Sequence, residues 1–317
     1  MIKILALALN PAIDISTDAV KVVHTHKTRT HNQRQFPGGG GINVARVIAE
    51  LGGQSDLVYL SGGASGLLLE SMLSTLRGQQ HVFKMHDAVR IAFMVHEETT
   101  NFEYRFVPEG PLVSEAEVQP VFDLLETSDA DYVVASGSLP RGLPTDTYAR
   151  MADIAARKGA RFVIDTSGEA LHETLTRSRV FLMKPSSGEL ESFAGRKLDT
   201  DGLIATASEI VASGAAQNVA VTLGADGAML VNADGVIRMP AIDVPVQSAV
   251  GAGDSFVAGM VWSLAEGHDM AEAFRFGVAT GAATVMTSGT ELCRRADVMT
   301  LYEASRATER PQVMPAS

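Results

Sequence analysis

Short apolar runs recur along this chain, and stretches with helical spacing lie between them. The runs Ile2–Leu9, Asp56–Leu60, Tyr132–Ala135, Phe162–Ile164, Val180–Met183 and Val219–Thr222 predict strands buried on both faces. Val44, Val47, Ile48 and Leu51 fall on one helical face, and Gly52-Gly53 stop that helix. Ser114 and Glu117 form a capping-box pattern ahead of Val118, Val121, Phe122 and Leu125. Thr145–Lys158 and Asp201–Ser213 read as further helices, followed by Gly159 and Gly214. Strand and helix in this alternation predict an α/β protein with a mostly parallel sheet and helices on its faces.

Two segments break the rhythm. Residues about 12–36 are polar and strand-like. Residues about 88–107 hold two strands around "EETTN", with Phe102, Tyr104 and Phe106 alternating against Glu103 and Arg105. Together they predict a small accessory sheet within one domain spanning 1–317. Such a sheet must cover its apolar face. It can close over the main body, pair with a second copy, or both, so a homodimer is expected. The tail after Ala307 is expected to fray.

Composition narrows the picture. The chain has 317 residues, 46% hydrophobic and 20% charged, as in soluble globular proteins. A net charge of −11 without a basic stripe argues against a nucleic-acid partner. No apolar run is long enough to span a membrane. The start, MIKILALALNPAIDIS, lacks a clear cleavage site for a signal peptide and reads as a buried strand ending at Asn10-Pro11. The lone Cys293 excludes an internal disulfide framework and fits a reducing, cytoplasmic setting. His24, His26 and His31 have no carboxylate or cysteine to complete a metal set.

Chemistry concentrates in five motifs. "QSAVGAGDSFVAGM" places Gly251, Ala252 and Gly253 before Asp254 and an apolar helix. Unpaired amides at a helix N-terminus favour an anion, and small residues let it approach. An aspartate there would repel a resting phosphate, so the pattern suits a phosphoryl group in transit with Asp254 accepting a proton. A glycine turn with an Asp cap is the structural alternative. "PGGGGINVAR" sets four glycines before Asn43, whose amide can bond hydroxyls. "SGSLPRG" and "DTSGEAL" lie at strand ends, where ligands of open α/β sheets bind. "KPSSGEL" offers Lys184 and Glu189 to phosphate and metal, and "VTLGADGAML" leads through a glycine turn into a hairpin. A P-loop, a dinucleotide fingerprint and the protein-kinase set are all absent.

The order NPAID, GGGGINVAR, SGSLP, DTSGEAL, KPSSGEL, VTLGADGA, AVGAGDSFVAGM resembles the PfkB (ribokinase-like) family of sugar kinases over nearly the whole chain. The resemblance implies a ribokinase-like three-layer, doubly wound, mostly parallel sheet with a small β-sheet lid. Within the family, PGGGGINVAR, YRFV and TSGEAL are most similar to the 6-phosphofructokinase branch. That implies ATP-dependent phosphorylation of a ketohexose phosphate, fructose 6-phosphate first. The 1-phosphofructokinase and tagatose-6-phosphate kinase activities are the alternatives, and a non-catalytic sugar sensor is a more distant one. By the same resemblance Asp254 is the base, and Gly251, Ala252 and Gly253 form the anion hole. Asp14, Gly39 and Asn43 hold sugar hydroxyls, while Lys27, Arg29, Arg90, Arg105 and Ser138 face the sugar phosphate. Lys184, Ser186, Thr222, Gly224 and Gly227 line the ATP side, Glu189 acts on Mg²⁺ through water, and K⁺ has a place near Ser248, Val250 and Gly289. Ser186 stands where the family usually has Asn, and Met286 reads as core or adenine-pocket wall.

Overall fold

The computed structural model describes residues 2–308 and 312–314. Strand β1 (Ile4–Ala8) is buried at every position and lies inside the larger sheet, third from one edge. It is followed by β2 (Ala12–Ala19) and β3 (His31–Gly38), which belong to the smaller sheet, and by helix α1 (Gly40–Glu50). Parallel to β1 run β4 (Asp56–Ser61) on one side and β8 (Tyr132–Ser136) on the other, with Leu7 opposite Val58 and Ala135. Beyond β4 lies β5 (Gln80–Lys84). Beyond β8 the parallel run continues through β9 (Arg161–Asp165), β10 (Val180–Met183) and β11 (Ala216–Thr222). An antiparallel edge of β12 (Ala228–Asn232), β13 (Gly235–Met239) and β14 (Gln312–Met314) completes the sheet.

The connections wind helices onto both faces. One layer holds α3 (Glu115–Thr127), α4 (Thr147–Arg157), α5 (Gly168–Arg177), α6 (Ser187–Ala194) and α7 (Thr200–Ala212), each packed on the next. The other holds α1, α8 (Ala252–Ala265), α9 (Met270–Val285) and α10 (Arg295–Thr308). Helix α2 (Gly63–Leu73) follows β4. One continuous apolar core joins the sheet to these helices. The capping box foreseen at Ser114 is present, with Ser114 and Glu117 bonded reciprocally.

The second sheet has the order β3-β2-β6-β7, with β6 (Arg90–Glu97) parallel to β2 and β7 (Phe102–Phe106) antiparallel to β6. Its strand alternation turns Asp14, Ala92, Met94 and Arg105 toward a cleft. Phe102 and Phe106 are about 60% exposed, at 62% and 60%. The apolar face foreseen for this sheet is therefore uncovered in the single chain.

The fraying expected after Ala307 is not what the described residues do. Thr308 ends α10, and Gln312–Met314 pair with β13, giving a partner to a strand edge that would otherwise be open. The remaining tail residues lie outside the described ones.

Candidate active site

Three chain segments meet beyond the carboxyl ends of β1, β8 and β9. The glycine run brings the first of them there. A Cβ on Gly40 would stand 2.7 Å from the Ser136 carbonyl carbon, and one on Gly41 would stand 2.8 Å from the Ala8 nitrogen. A Cβ on Gly38 would fall on the Asp14 carboxylate. These glycines therefore let the start of α1 sit against the protein's own strand ends. Only part of the run is left to a ligand, chiefly Gly39, whose φ of 102° favours glycine and which lines the cleft.

Helix α8 supplies the second segment. Gly251 precedes it in the left-handed region, with φ 77°, and Asp254 lies in its first turn without capping it. The cap alternative raised by the sequence is thereby removed. Instead both oxygens of Asp254 are held from other elements. Asn43 Nδ2 donates to Oδ2 at 3.0 Å, and Ser136 Oγ donates to Oδ1 at 2.9 Å. Asn43 is itself oriented, because its Oδ1 accepts from Arg46 Nη1 at 3.3 Å. Arg46 Nη1 also donates to the Pro37 carbonyl at 2.8 Å.

Asp14, Gly39, Asn43, Arg90, Arg105, Gly251 and Asp254 line one cavity of about 170 Å³. Burial raises the Asp14 carboxyl to about 6, against the pull of Arg90 and Arg46 and with a push from Asp254. Asp14 is thus ionised at neutral pH and takes a proton near pH 6. Its folded-state value lies above the unfolded one, so it costs stability as pH rises through about 6. Asp14→Asn is therefore expected to raise the melting temperature more at pH 8 than at pH 4. Thermal denaturation at the two pH values checks this, and an equal gain at both would contradict it.

Arg90 is anchored at the root of the small sheet. Its Nη2 donates to the Asn10 carbonyl at 3.1 Å and its Nη1 to the Pro108 carbonyl at 2.9 Å. The Asn10 amide donates to Ser138 Oγ at 3.0 Å and to the Glu109 carbonyl at 3.1 Å. Ser138 thus stands beside the cavity, joined to Arg90 through Asn10. Lys27 and Arg29 do not join it. Both are exposed in the connection between β2 and β3, and neither lines the cavity, so the four expected cations reduce to two in this chain.

Strand ends β9 and β10 bring the third segment. Lys184, 6% exposed, pairs with Asp165, 12% exposed, at 3.1 Å. A Cβ on Gly253 would come within 3.3 Å of Lys184 Nζ, so the ammonium stands at the N-terminus of α8 beside the glycines. Burial pushes the Asp165 carboxyl up. Burial disfavours the Lys184 ammonium, but Asp165, Glu189 and Asp254 outweigh it and raise its pKa. An ammonium beside a glycine-flanked helix N-terminus forms a place for a highly charged anion.

Ser186 and Glu189 form a reciprocal cap on α6. Glu189 Oε2 accepts from Ser186 N at 2.7 Å and from Ser186 Oγ at 2.9 Å, while Glu189 N donates to Ser186 Oγ at 3.2 Å. The serine that departs from the family pattern thus draws the carboxylate back onto its own helix. Among the described residues no group of three or more His, Cys, Asp or Glu side chains is placed to hold a metal ion. Thr222 ends β11 and donates its N–H to the Pro185 carbonyl at 3.0 Å. Gly224 faces open space. Gly227 does not: a Cβ there would lie 2.6 Å from the Pro240 carbonyl carbon, so the hairpin itself requires this glycine. Met286 is half-buried at the end of α9.

Sequence reasoning passed over Ser136, Asn10 and Arg46. Ser136 stood in a quoted motif, but nothing local separates it from Ser138 two positions on. Gly40→Ala tests its importance: by displacing Ser136 it is expected to lower kcat by up to ~10²-fold, the cost of a misplaced reacting group. Steady-state kinetics on protein verified as folded measures it, and unchanged turnover would show that Ser136 does not set the Asp254 geometry.

A doubly wound α/β body with a small β-sheet over a carboxylate, a glycine-rich anion site and two arginines defines a kinase of small phosphorylated molecules. The comparisons agree. The model of the pfkB family carbohydrate kinases matches residues 7–297, and the chain belongs to that family. It is 40% identical over 311 residues to ATP-dependent 6-phosphofructokinase isozyme 2 of Mycobacterium tuberculosis, covering 97% of this chain and 91% of that one. It is 37% identical over 304 residues to the protein of the same name from Escherichia coli, covering 95% and 98%. The crystal structure of phosphofructokinase-2 from Escherichia coli in complex with fructose-6-phosphate superposes with a TM-score of 0.90 at 35% identity, covering 96% of this chain and all of that one. No helix among the described residues is long and apolar enough to cross a membrane.

Proposed function

We propose that this chain transfers the γ-phosphoryl group of ATP to the 1-hydroxyl of fructose 6-phosphate. The observation that carries the reading is Asp254 in one cavity with two arginines, on the first turn of a helix whose N-terminus has a buried lysine beside it. Arg90 and Arg105 stand at one end. Lys184 stands beside Gly253 at the start of α8, next to the cavity and outside its lining. Asp14 and Asn43 hold sugar hydroxyls between them, the arginines take the sugar phosphate, and Ser138 supports that end through Asn10. Asp254 accepts the hydroxyl proton as the bond to phosphorus forms. Lys184 and the amides from Gly251 to Gly253 stabilise the charge spread over the moving group. Gly224 and Thr222 lie on the nucleotide side.

Mg²⁺ held by the nucleotide phosphates would supply charge neutralisation along them. Glu189 is left to act on it through water. A buried Thr290 hydroxyl without a partner, near Ser248, Val250 and Gly289, supports a monovalent cation such as K⁺ in that loop. A structure of the Escherichia coli relative is described as in complex with potassium.

The small sheet acts as a lid on a single domain, and its apolar outer face meets a second copy. A relative's structure is described as tetrameric. Lysine in place of both Phe102 and Phe106 is expected to yield monomers in analytical ultracentrifugation, and an unshifted sedimentation coefficient would put the interface elsewhere. The single buried Cys293 supports a cytoplasmic location.

The same site serves 1-phosphofructokinase or tagatose-6-phosphate kinase chemistry, and one relative at 30% identity, from Bacillus subtilis, is named 1-phosphofructokinase. A panel of phosphosugars assayed for ADP release decides between them. Absence of ADP with every sugar would leave a sensor.

A further inference from the structure

A second cavity, of about 440 Å³, opens among α1, the end of α2 and residues 291–294. It is larger than the sugar cleft and within the range of small-ligand sites. Three arginines line it, Arg46, Arg77 and Arg294, although the chain as a whole carries a charge of −11. Both of its acids already have partners, Glu291 with one of the three arginines itself. Glu291 binds Arg294 at 3.2 Å, and Glu50 accepts the Arg295 N–H at 3.0 Å. Among the described residues, neither Arg46 nor Arg77 has a carboxylate within ion-pair distance. Arg46 is largely buried, which lowers its pKa to about 10. Asp14 and Glu291 act on that guanidinium only from beyond ion-pair distance, so an anion in direct contact would relieve more of the cost of its burial. Met72, Leu76 and Leu292 give the cavity an apolar wall. Guanidinium forks next to an apolar wall match a phosphate carried on an apolar body.

Arg46 also reaches the reacting centre. It lies three residues after Asn43 on α1, so the two share a helix side, with Asn43 in the sugar cleft and Arg46 in the second cavity. The path Arg46 to Asn43 to Asp254 has two hydrogen bonds, of 3.3 and 3.0 Å. The first is long for N–H···O and is the weaker link.

We propose that this cavity binds a small organic phosphate and that its occupancy lowers turnover by drawing Arg46 away from Asn43. The anion competes for the guanidinium, the Asn43 amide loses its fixed orientation, and Asp254 loses one of its two donors. The binding half stands on the cavity alone. The effect on turnover rests on the reading of Asp254 as the base.

Phenyl phosphate is the probe, titrated calorimetrically into the full-length protein. Wild type and Arg105→Ala are expected to bind it, and the Arg77→Ala/Arg294→Ala double variant to bind roughly tenfold or more weakly, as charged hydrogen bonds are lost. Both positions of the double variant are exposed, so the fold is retained. Undiminished binding by the double variant, weakening by Arg105→Ala, or no heat with wild type each overturns the site. At saturating fructose 6-phosphate and ATP, phenyl phosphate is expected to lower kcat of wild type and leave the double variant unaffected. Binding that depends on Arg77 and Arg294 but leaves kcat unchanged overturns the coupling. A wild-type protein inactive on every phosphosugar would instead defeat the kinase reading, and the heats are measured independently of turnover.

Discussion

Asp254→Asn is expected to lower kcat by at least ~10²-fold, the usual contribution of a general base, with ATP affinity nearly unchanged. The substitution keeps the shape of the side chain. The new amide oxygen can still accept from Asn43, and the new NH₂ can face Ser136, whose hydroxyl rotates to accept. Stability is therefore expected to hold, so that lost turnover reports proton transfer and not a collapsed site. In the proposed mechanism the nucleotide is met by Lys184 and the α8 amides, which the substitution leaves in place. Stopped or steady-state kinetics with a melting curve on the same sample gives the answer. A variant with near-normal turnover removes Asp254 from the chemistry.

Arg90→Ala carries the second large effect. The KM for the phosphosugar is expected to rise by roughly tenfold or more, the scale of a lost charge-assisted hydrogen bond, while the KM for ATP changes little. Truncation also frees the Asn10 and Pro108 carbonyls, which sit where β2 leaves the core and where the chain returns from β7. Arg90 therefore ties both roots of the small sheet, and its loss is expected to lower kcat as well. Arg105 lines the same cavity from the sheet itself, so Arg105→Ala is expected to raise the sugar KM with less effect on kcat. Equal changes in the KM for sugar and for ATP would place Arg90 outside the phosphosugar site.

The contrast between these arginines and Lys27 and Arg29 shows where reading along the chain ran out. All four matched a family pattern. Only the two on β6 and β7 reach the cavity of this chain, because sheet pleating turns alternate side chains to one face. Lys27 and Arg29 lie on a connection whose path no periodicity describes. Glu189 makes the same point at shorter range. Its carboxylate was available to a metal in the sequence, yet Ser186 three positions earlier makes it part of a helix cap. Helices α8 and α9 are largely buried all round against each other, so neither presents a one-sided apolar stripe to find. That is why α9 escaped notice, while α1, with its large apolar residues at Val44, Val47, Ile48 and Leu51 and a glycine pair after them, was legible.

The amino-acid sequence by itself determined the α/β class, the central strands, the order of the motifs and the residue types offered for phosphoryl transfer. These are encoded in neighbouring residues, through strand and helix periodicity and the backbone freedom of glycine. The tertiary structure alone decided that Ser136 and Asn43, 118 and 211 positions from Asp254, hold its two oxygens. It also decided that most of the glycine run serves strand packing, that Gln312–Met314 extend the sheet, and that Arg46 stands between two cavities. Such contacts depend on strand order and on how two helix layers seat on the sheet. They arise from packing the whole chain at once, and no short window of residues contains them.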